Sequence, residues 1–320
     1  MKIINQIPSP KNDRRFEVIY RISFPLNISL SNSDRLFVFG TSELGKTNNF
    51  FVGASVKEAS SRGNLKIITP SNWSKVGFLR AGFSEENIKV IPHGVEPSSF
   101  YKSDDRSRFL YRKNLGIQPD DFVLLNVGAL TSNKGVELLV AAYILLKSKY
   151  KNLRLLIKDS SDLYGKTFEN VVSEMKRNER KKNLDFSKLD DVITISKNLD
   201  MKNLNRIYNS ADAYISPYYG EGFNLPPLEA AACGIPIVVT SGGSTDDYFS
   251  KKIGLKIDSN KRNNSKGQTF LEPNFDSLID SIEKLISYSI RCGGEIGSKY
   301  VHENFSWEKV TDFLIKDLSL

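Results

Sequence analysis

From Asp121 onward the chain alternates between short, mainly apolar runs and longer stretches whose apolar positions recur every three to four residues. Phe122 to Val127, Leu153 to Lys158, Val192 to Ser196, Ala213 to Ser216 and Ile235 to Thr240 read as strands. Lys134 to Lys149 reads as an amphipathic helix capped by Ser132 or Asn133, Tyr164 to Lys182 as a polar helix, and Asp200 to Asn209 as a third. Strands that do not alternate and are separated by helices predict a parallel sheet covered on both faces. In such a sheet ligands bind beyond the carboxyl ends of the strands, where the winding reverses. The first hundred residues are less regular. Arg35 to Phe39 and Leu65 to Ile68 look like strands, Asn72 to Ala81 like a helix, and Ile91 to Pro97 like a linker, followed by the charged stretch Lys102 to Arg108. Amphipathic helices are expected at Phe275 to Ser287 and Trp307 to Leu318.

One segment concentrates the chemistry. Glu221 follows the strand Ala213 to Ser216 in a glycine-bounded turn, and Glu229 lies about one turn into the helix that comes next. Asn224 reads as its N-cap, with Pro226 near the first helical positions and Gly234 as the terminator. Both carboxylates would face a crevice into which the amides of Phe223, Asn224 and Leu225 point. A helix start of that kind attracts phosphate.

Composition narrows the partners. No apolar run approaches the ~18 residues that a membrane span requires, and the N-terminus lacks a signal-peptide core, so a cytoplasmic protein is expected. Two histidines and two cysteines exclude a multi-histidine metal site and a disulfide framework. The net charge of +8 is concentrated partly in Lys176, Arg177, Arg180, Lys181 and Lys182. That run reads as a solvated helix face, with attachment to an anionic membrane surface as the second reading. Nucleic acid is not expected, because no aromatic interleaving or binding module accompanies the charge.

Four ordered segments, Ile67 to Val95, Asn126 to Gly135, Glu221 to Pro236 and Phe305 to Trp307, together resemble family 4 (group 1) glycosyltransferases. Ile67 to Lys75, Ala81-Gly-Phe83 and Ile88 to Val95 look like that family's interdomain passage. Asn126-Val-Gly-Ala-Leu130 with Lys134-Gly135 resembles its first phosphate-side loop. Glu221 to Glu229 with Ala232-Cys-Gly-Ile-Pro236 matches its paired-glutamate motif, and Phe305-Ser-Trp307 resembles its C-terminal signature. The resemblance implies an α/β GT-B architecture, two Rossmann-like parallel-sheet domains facing a cleft, with the N-terminal one reduced. Its domains would be a reduced acceptor-side domain over residues 1–101, a donor-binding domain over 102–290, and a C-terminal helix over 291–320 returning to the first domain. It implies transfer of a sugar, with retention of configuration, from a UDP- or GDP-linked donor to a glycan, lipid-linked or protein acceptor. The enzyme would work at the cytoplasmic side, with peripheral contact to an anionic membrane as a further expectation.

Within that resemblance Glu221 and Lys134 are the catalytic candidates. Gly128, Lys134, Leu199, Gly222, Phe223, Asn224, Leu225 and Glu229 are the donor-binding candidates, with Glu229 on the ribose hydroxyls and the Leu199 backbone near the nucleobase. Breaking the anomeric bond leaves negative charge on a diphosphate, which must be stabilised where it develops. No Asp-x-Asp pair exists to clamp a metal there, so Lys134 and the helix-start amides are expected to do it without metal or cofactor.

Each assignment has a plainer competitor. Glu229 could be a helix carboxylate favoured by the macrodipole, Lys134 a solvated helix-start lysine, and Tyr218 and Tyr219 loop packing. His93 reads as a structural linker histidine, and Asp246 and Asp247 as caps of the next turn. Ala129 stands where the family usually has a phosphate-binding arginine, and the N-terminal part is short. Both motivate an alternative, a catalytically silent GT-B protein that binds a nucleotide sugar. A third reading comes from Gly40 to Thr47, which satisfies the Walker A spacing after a strand and before a possible helix. There Lys46 would hold phosphates and Thr47 magnesium. In the plain reading it is a loop of the acceptor domain, with Glu43 on the acceptor side.

Overall fold

The structure, a computed structural model, describes residues 15–47, 50–178, 183–288 and 292–318. Arg180, Lys181 and Lys182 of the basic run and the first residues of the chain lie outside that description. The chain divides into two compact units, Met1–Ile91 and Pro92–Leu320.

The first unit contains β1 (Phe16–Ile22), β2 (Leu26–Asn27), β3 (Ser33–Phe39), β4 (Phe51–Val52), α1 (Val56–Ser60), β5 (Leu65–Thr69), α2 (Asn72–Ala81) and β6 (Ile88–Val90). Four of these strands form a parallel sheet in the order β1-β3-β5-β6. Leu36, Val38, Leu65, Ile67 and Ile88 pack beneath Phe78 of α2 and Phe83. Ser71 caps α2 by accepting the Ser74 amide, and Gly82, with φ at 106°, ends it. Among the described residues no helix follows Thr47; the next element is the two-residue strand β4.

The second unit opens with α3 (Asp105–Asn114) and β7 (Phe122–Val127). It continues through α4 (Val136–Lys149), β8 (Leu153–Lys158), α5 (Ser161–Tyr164), α6 (Phe168–Arg177), β9 (Ile193–Ile195), α7 (Met201–Ser210), β10 (Ala213–Ser216), α8 (Leu225–Ala232) and β11 (Ile237–Thr240). β12 (Gly254–Ile257), β13 (Ser259–Asn263), β14 (Thr269–Pro273), α9 (Phe275–Ile286), α10 (Gly294–Phe305) and α11 (Trp307–Leu318) complete it. The six-stranded sheet runs β12-β11-β10-β7-β8-β9, and every pair in it is parallel. The chain winds outward from β7 through β8 to β9, then returns to β10 and winds the other way. The reversal therefore lies between β7 and β10, and the loops leaving those two strands flank it.

One sheet face carries Leu124, Leu155, Ile157, Ala213, Ile215 and Val238 against α4, α6 and α9. On the other, α8 packs against β10, β11, α7 and α10. Segment 92–103 is stitched to this unit: Val95 exchanges main-chain bonds with Phe305 and Trp307, and the Ser103 amide donates to Asn209 on α7. Neither β1 nor the antiparallel pair β13–β14 stands out in the apolar pattern of the chain. That hairpin stands outside the six-stranded sheet and docks by a main-chain bond from the Leu271 amide to the Tyr219 carbonyl, 2.6 Å.

Candidate active site at the switch point

The loop after β7 begins at Gly128 and ends at Gly135, and local sequence alone does not set its shape. Gly135 holds φ at 65°, and a Cβ there would stand 2.0 Å from the carbonyl oxygen of Pro217. Only glycine lets this loop close against the loop that leaves β10. Asn133 adds the stitching: its carbonyl accepts the Tyr219 amide at 2.8 Å and its Nδ2 donates to the Gly220 carbonyl at 3.0 Å. This tertiary use of Asn133 explains why it does not cap α4. The cap position is Gly135, preceded by a single 3-10 turn over Ser132–Lys134.

The result is an ion pair. Lys134 Nζ lies 2.7 Å from Glu221 Oε1, and Asn133 Nδ2 donates to the same oxygen at 3.3 Å. The Glu221 side chain is almost wholly buried and that of Lys134 mostly so. A Cβ added to Gly128 would meet Lys134 Cε at 4.0 Å, so the first glycine of the loop lies alongside the lysine stem. Two candidates that the sequence placed 87 residues apart thus meet at the reversal of the sheet.

Gly222, Phe223 and Asn224 carry the chain from Glu221 into α8. Asn224 occupies the N-cap position but does not cap with its side chain. Its φ is 66°, and Nδ2 donates to Ser216 Oγ at 3.0 Å while its carbonyl accepts from Tyr248. Among the described residues no acceptor takes the amides of Phe223, Asn224 or Leu225. These are the unmatched donors of a helix start. Phe223 is fixed by rings: His93 at 5.2 Å and Tyr248 at 5.2 Å between centroids. His93 also contacts Trp307 at 5.9 Å, and burial holds its imidazole below the ordinary value.

Glu229 follows on α8. Tyr208 donates to its Oε2 at 2.6 Å, and Tyr208 itself is fully buried. Burial pushes the Glu229 carboxyl above the ordinary carboxylate range, and the bond from Tyr208 opposes that shift. Tyr208 was not singled out from the sequence, because its partner lies on another helix and no motif connects them. The two tyrosines beside Glu221 are held by the protein: Tyr218 bonds to Thr245 at 2.8 Å and Tyr219 donates to Glu137 at 2.7 Å. Asp246 accepts the Gly242 amide and pairs with Lys256 at 2.8 Å.

Leu199 follows β9 in the loop before α7. It lines a cavity of about 400 Å³ with Tyr111, Ile195, Asn203 and Arg206, and that cavity shares no residue with the Lys134–Glu221 pair. In the first unit, Glu43 is exposed and its carbonyl accepts from the Trp73 indole at 2.7 Å. Thr47, the magnesium candidate of the phosphate-loop reading, is fully buried and donates its hydroxyl to the Gly77 carbonyl at 2.9 Å. Among the described residues no three His, Cys, Asp or Glu side chains gather in a metal-binding group. None of the described helices is long and apolar enough to cross a membrane.

Comparison with known proteins adds a context for this geometry. The sequence profile of the family described as "Glycosyl transferases group 1" matches residues 107–289. A D-inositol 3-phosphate glycosyltransferase of Arthrobacter sp. (strain FB24) is 32% identical over 232 residues, covering 68% of this chain and 52% of that protein. The chain spans about half the length of the curated relatives it matches. Among solved structures, the sucrose-phosphate synthase of Thermosynechococcus elongatus superposes with a TM-score of 0.65 at 21% identity, covering 89% of this chain and 68% of that one. HepE of Anabaena, solved in complex with UDP-glucose, superposes at 0.67 with 17% identity, covering 89% and 72%. Both neighbours have the GT-B fold, and the likeness shows that fold for this chain.

Proposed function

The chain belongs to the group 1 glycosyltransferases, and from that premise we propose that it transfers a sugar from a nucleotide-sugar donor, with retention of configuration and without a metal. The observation that carries the proposal is the Lys134–Glu221 ion pair, 2.7 Å long, at the point where the sheet reverses and beside the unmatched amides of α8. The solved neighbour HepE is bound to UDP-glucose, and a UDP- or GDP-linked sugar is the donor proposed here.

In this reading the donor's diphosphate lies over the start of α8. The lysine ammonium leaves Glu221 for the phosphate oxygens, and Glu221 turns to the hydroxyls of the sugar. The anomeric carbon–oxygen bond to the diphosphate breaks, and a new one forms to an acceptor hydroxyl. The acceptor's proton ends on the departing diphosphate, so no side chain needs to act as a base. Lys134 and the α8 amides stabilise charge where it develops. Glu229, oriented by Tyr208, accepts from the ribose hydroxyls. An acceptor carried on lipid at an anionic membrane face fits the charge of +8.

The test is a panel of radiolabelled UDP- and GDP-sugars incubated with the protein, with and without EDTA. Slow donor hydrolysis or transfer that survives EDTA and disappears in Glu221→Ala supports the proposal. Saturable binding without turnover on any acceptor would instead identify a silent binding protein, the reading that Ala129 motivates. Hydrolysis of ATP that vanishes in Lys46→Ala but persists in Glu229→Ala would overturn both.

A further inference from the structure

Lys158 closes β8 and is 6% exposed, an unusual depth for a lysine. Its ammonium donates to the main-chain carbonyl of Asp159. No carboxylate among the described residues stands within ion-pair distance of it. The neighbouring Asp159 carboxylate is engaged by the Ser161 amide at 3.0 Å and the Ser196 hydroxyl at 2.9 Å. Burial pulls the ammonium below its ordinary value, and Asp159 and Asp162 oppose that only at longer range. A buried cation without a counter-charge is costly and invites an anion.

The position of Lys158 says which anion. Lys158 pairs in register with Val127, and its carbonyl accepts the Gly128 amide at 3.0 Å. Adjacent strands are about 4.8 Å apart, so the lysine stands one strand away from the Gly128–Lys134 loop. Leu153, Leu155 and Ile157 of β8 face α4 and α6, so alternation turns Lys158 to the opposite face. On β10, Ala213 and Ile215 face the α4 side, which puts Tyr214 on the face of Lys158. The Tyr214 ring contacts that of Tyr208, which holds Glu229. Lys158 and Glu229 therefore lie on one side of the sheet, at its carboxyl end.

Charge completes the argument. Lys134 set against Glu221 and Glu229 leaves the site one negative charge in excess, a poor reception for a diphosphate. Ala129 brings no cation to the loop. We propose that Lys158 is the second cation of the donor site and binds the diphosphate of the nucleotide sugar together with Lys134. A nucleobase carbonyl would use one N–H of the ammonium and leave its charge unmatched, whereas a phosphate oxygen answers both. The inference rests on the glycosyltransferase reading above.

Isothermal titration of UDP, GDP, their nucleosides and inorganic pyrophosphate into the full chain tests it, comparing wild type with Lys158→Met and Lys158→Arg. Wild type should bind one of the two diphosphates. Lys158→Met should weaken that diphosphate and pyrophosphate tenfold or more and leave the parent nucleoside within twofold, and Lys158→Arg should recover part of the loss. The melting temperature of Lys158→Met should be unchanged or raised, because an unpaired buried charge is gone. Should Lys158→Met fail to fold, Lys158→Gln carries the same comparison. Equal losses for nucleoside and diphosphate would assign Lys158 to the base or to packing and overturn the inference, as would no loss at all. A wild type that binds neither diphosphate would sink the glycosyltransferase reading, and this inference with it.

Discussion

Two glycine-bounded loops in this protein follow parallel strands and carry a lysine, yet their polar groups have opposite commitments. In the first unit, Gly40 to Thr47 is stitched onto α2: the Ser42 amide donates to Ser74 Oγ at 2.7 Å, Thr47 to the Gly77 carbonyl, and the Trp73 indole to the Glu43 carbonyl. A Cβ on Gly77 would come within 2.2 Å of Ser42 Oγ, a measure of how closely that loop lies on the helix. In the second unit, Gly128 to Gly135 is tied to another loop at the mouth of the sheet, and its lysine meets a carboxylate there. Spacing of glycine and lysine is common to both. What separates them is whether the donors are already matched by the neighbouring helix or left at a helix start beside an ion pair.

Equivalent lysine substitutions should separate the loops most. Lys134→Ala should lower turnover about 100- to 1,000-fold, the cost of one lost charge-stabilising donor, measured as sugar release from the donor that supports activity. Lys46→Ala should leave that rate within twofold; equal losses in the two variants would erase the distinction. Next in size, Gly135→Ala forces a positive φ and a clash with Pro217, and should cost about 2–3 kcal/mol of stability in urea unfolding. An unchanged midpoint would show that the two loops are not interlocked. Tyr208→Phe removes the hydrogen bond that orients Glu229 and should weaken donor affinity about tenfold, in line with a bond to a charged group; a rate loss with unaltered affinity would contradict the ribose role.

The smallest effect is a matter of sign. A carboxyl whose folded pKa is raised contributes stability below its unfolded value, ordinarily 4.5, and loses it as pH rises through the folded value. Glu229→Gln should therefore gain in melting temperature relative to wild type between pH 5 and pH 8, even as it loses donor affinity. A relative loss over that range would mean that Glu229 is favourably ionised in the fold.

The elements read most accurately from sequence were those whose pattern is local. β7, β8 and β10 are short, mainly apolar segments and match residue for residue, as does α2, which Ser71 caps and Gly82 ends. What escaped was set by distant partners. β1 is half-exposed at a sheet edge, and β13 is polar throughout, so neither carries a burial signal. Asn133 has the chemistry of a cap, but Gly220 and Glu221 claim its side chain. Asn224 was legible as the residue before α8, not as a left-handed one whose side chain reaches back to Ser216. The glutamate motif marks Glu221 and Glu229 in the sequence, whereas Tyr208 and Lys158 stand out only by the face of the sheet they share.

The hairpin β13–β14 holds Tyr219 through an amide and a carbonyl, a bond blind to side-chain identity. Its exposed turn, Asn264 to Gly267, can thus diverge or accept a fluorophore with the anchorage intact. A dye placed there would be an optical handle on the loop that carries Glu221, reporting its rearrangement without any label in the chemistry itself.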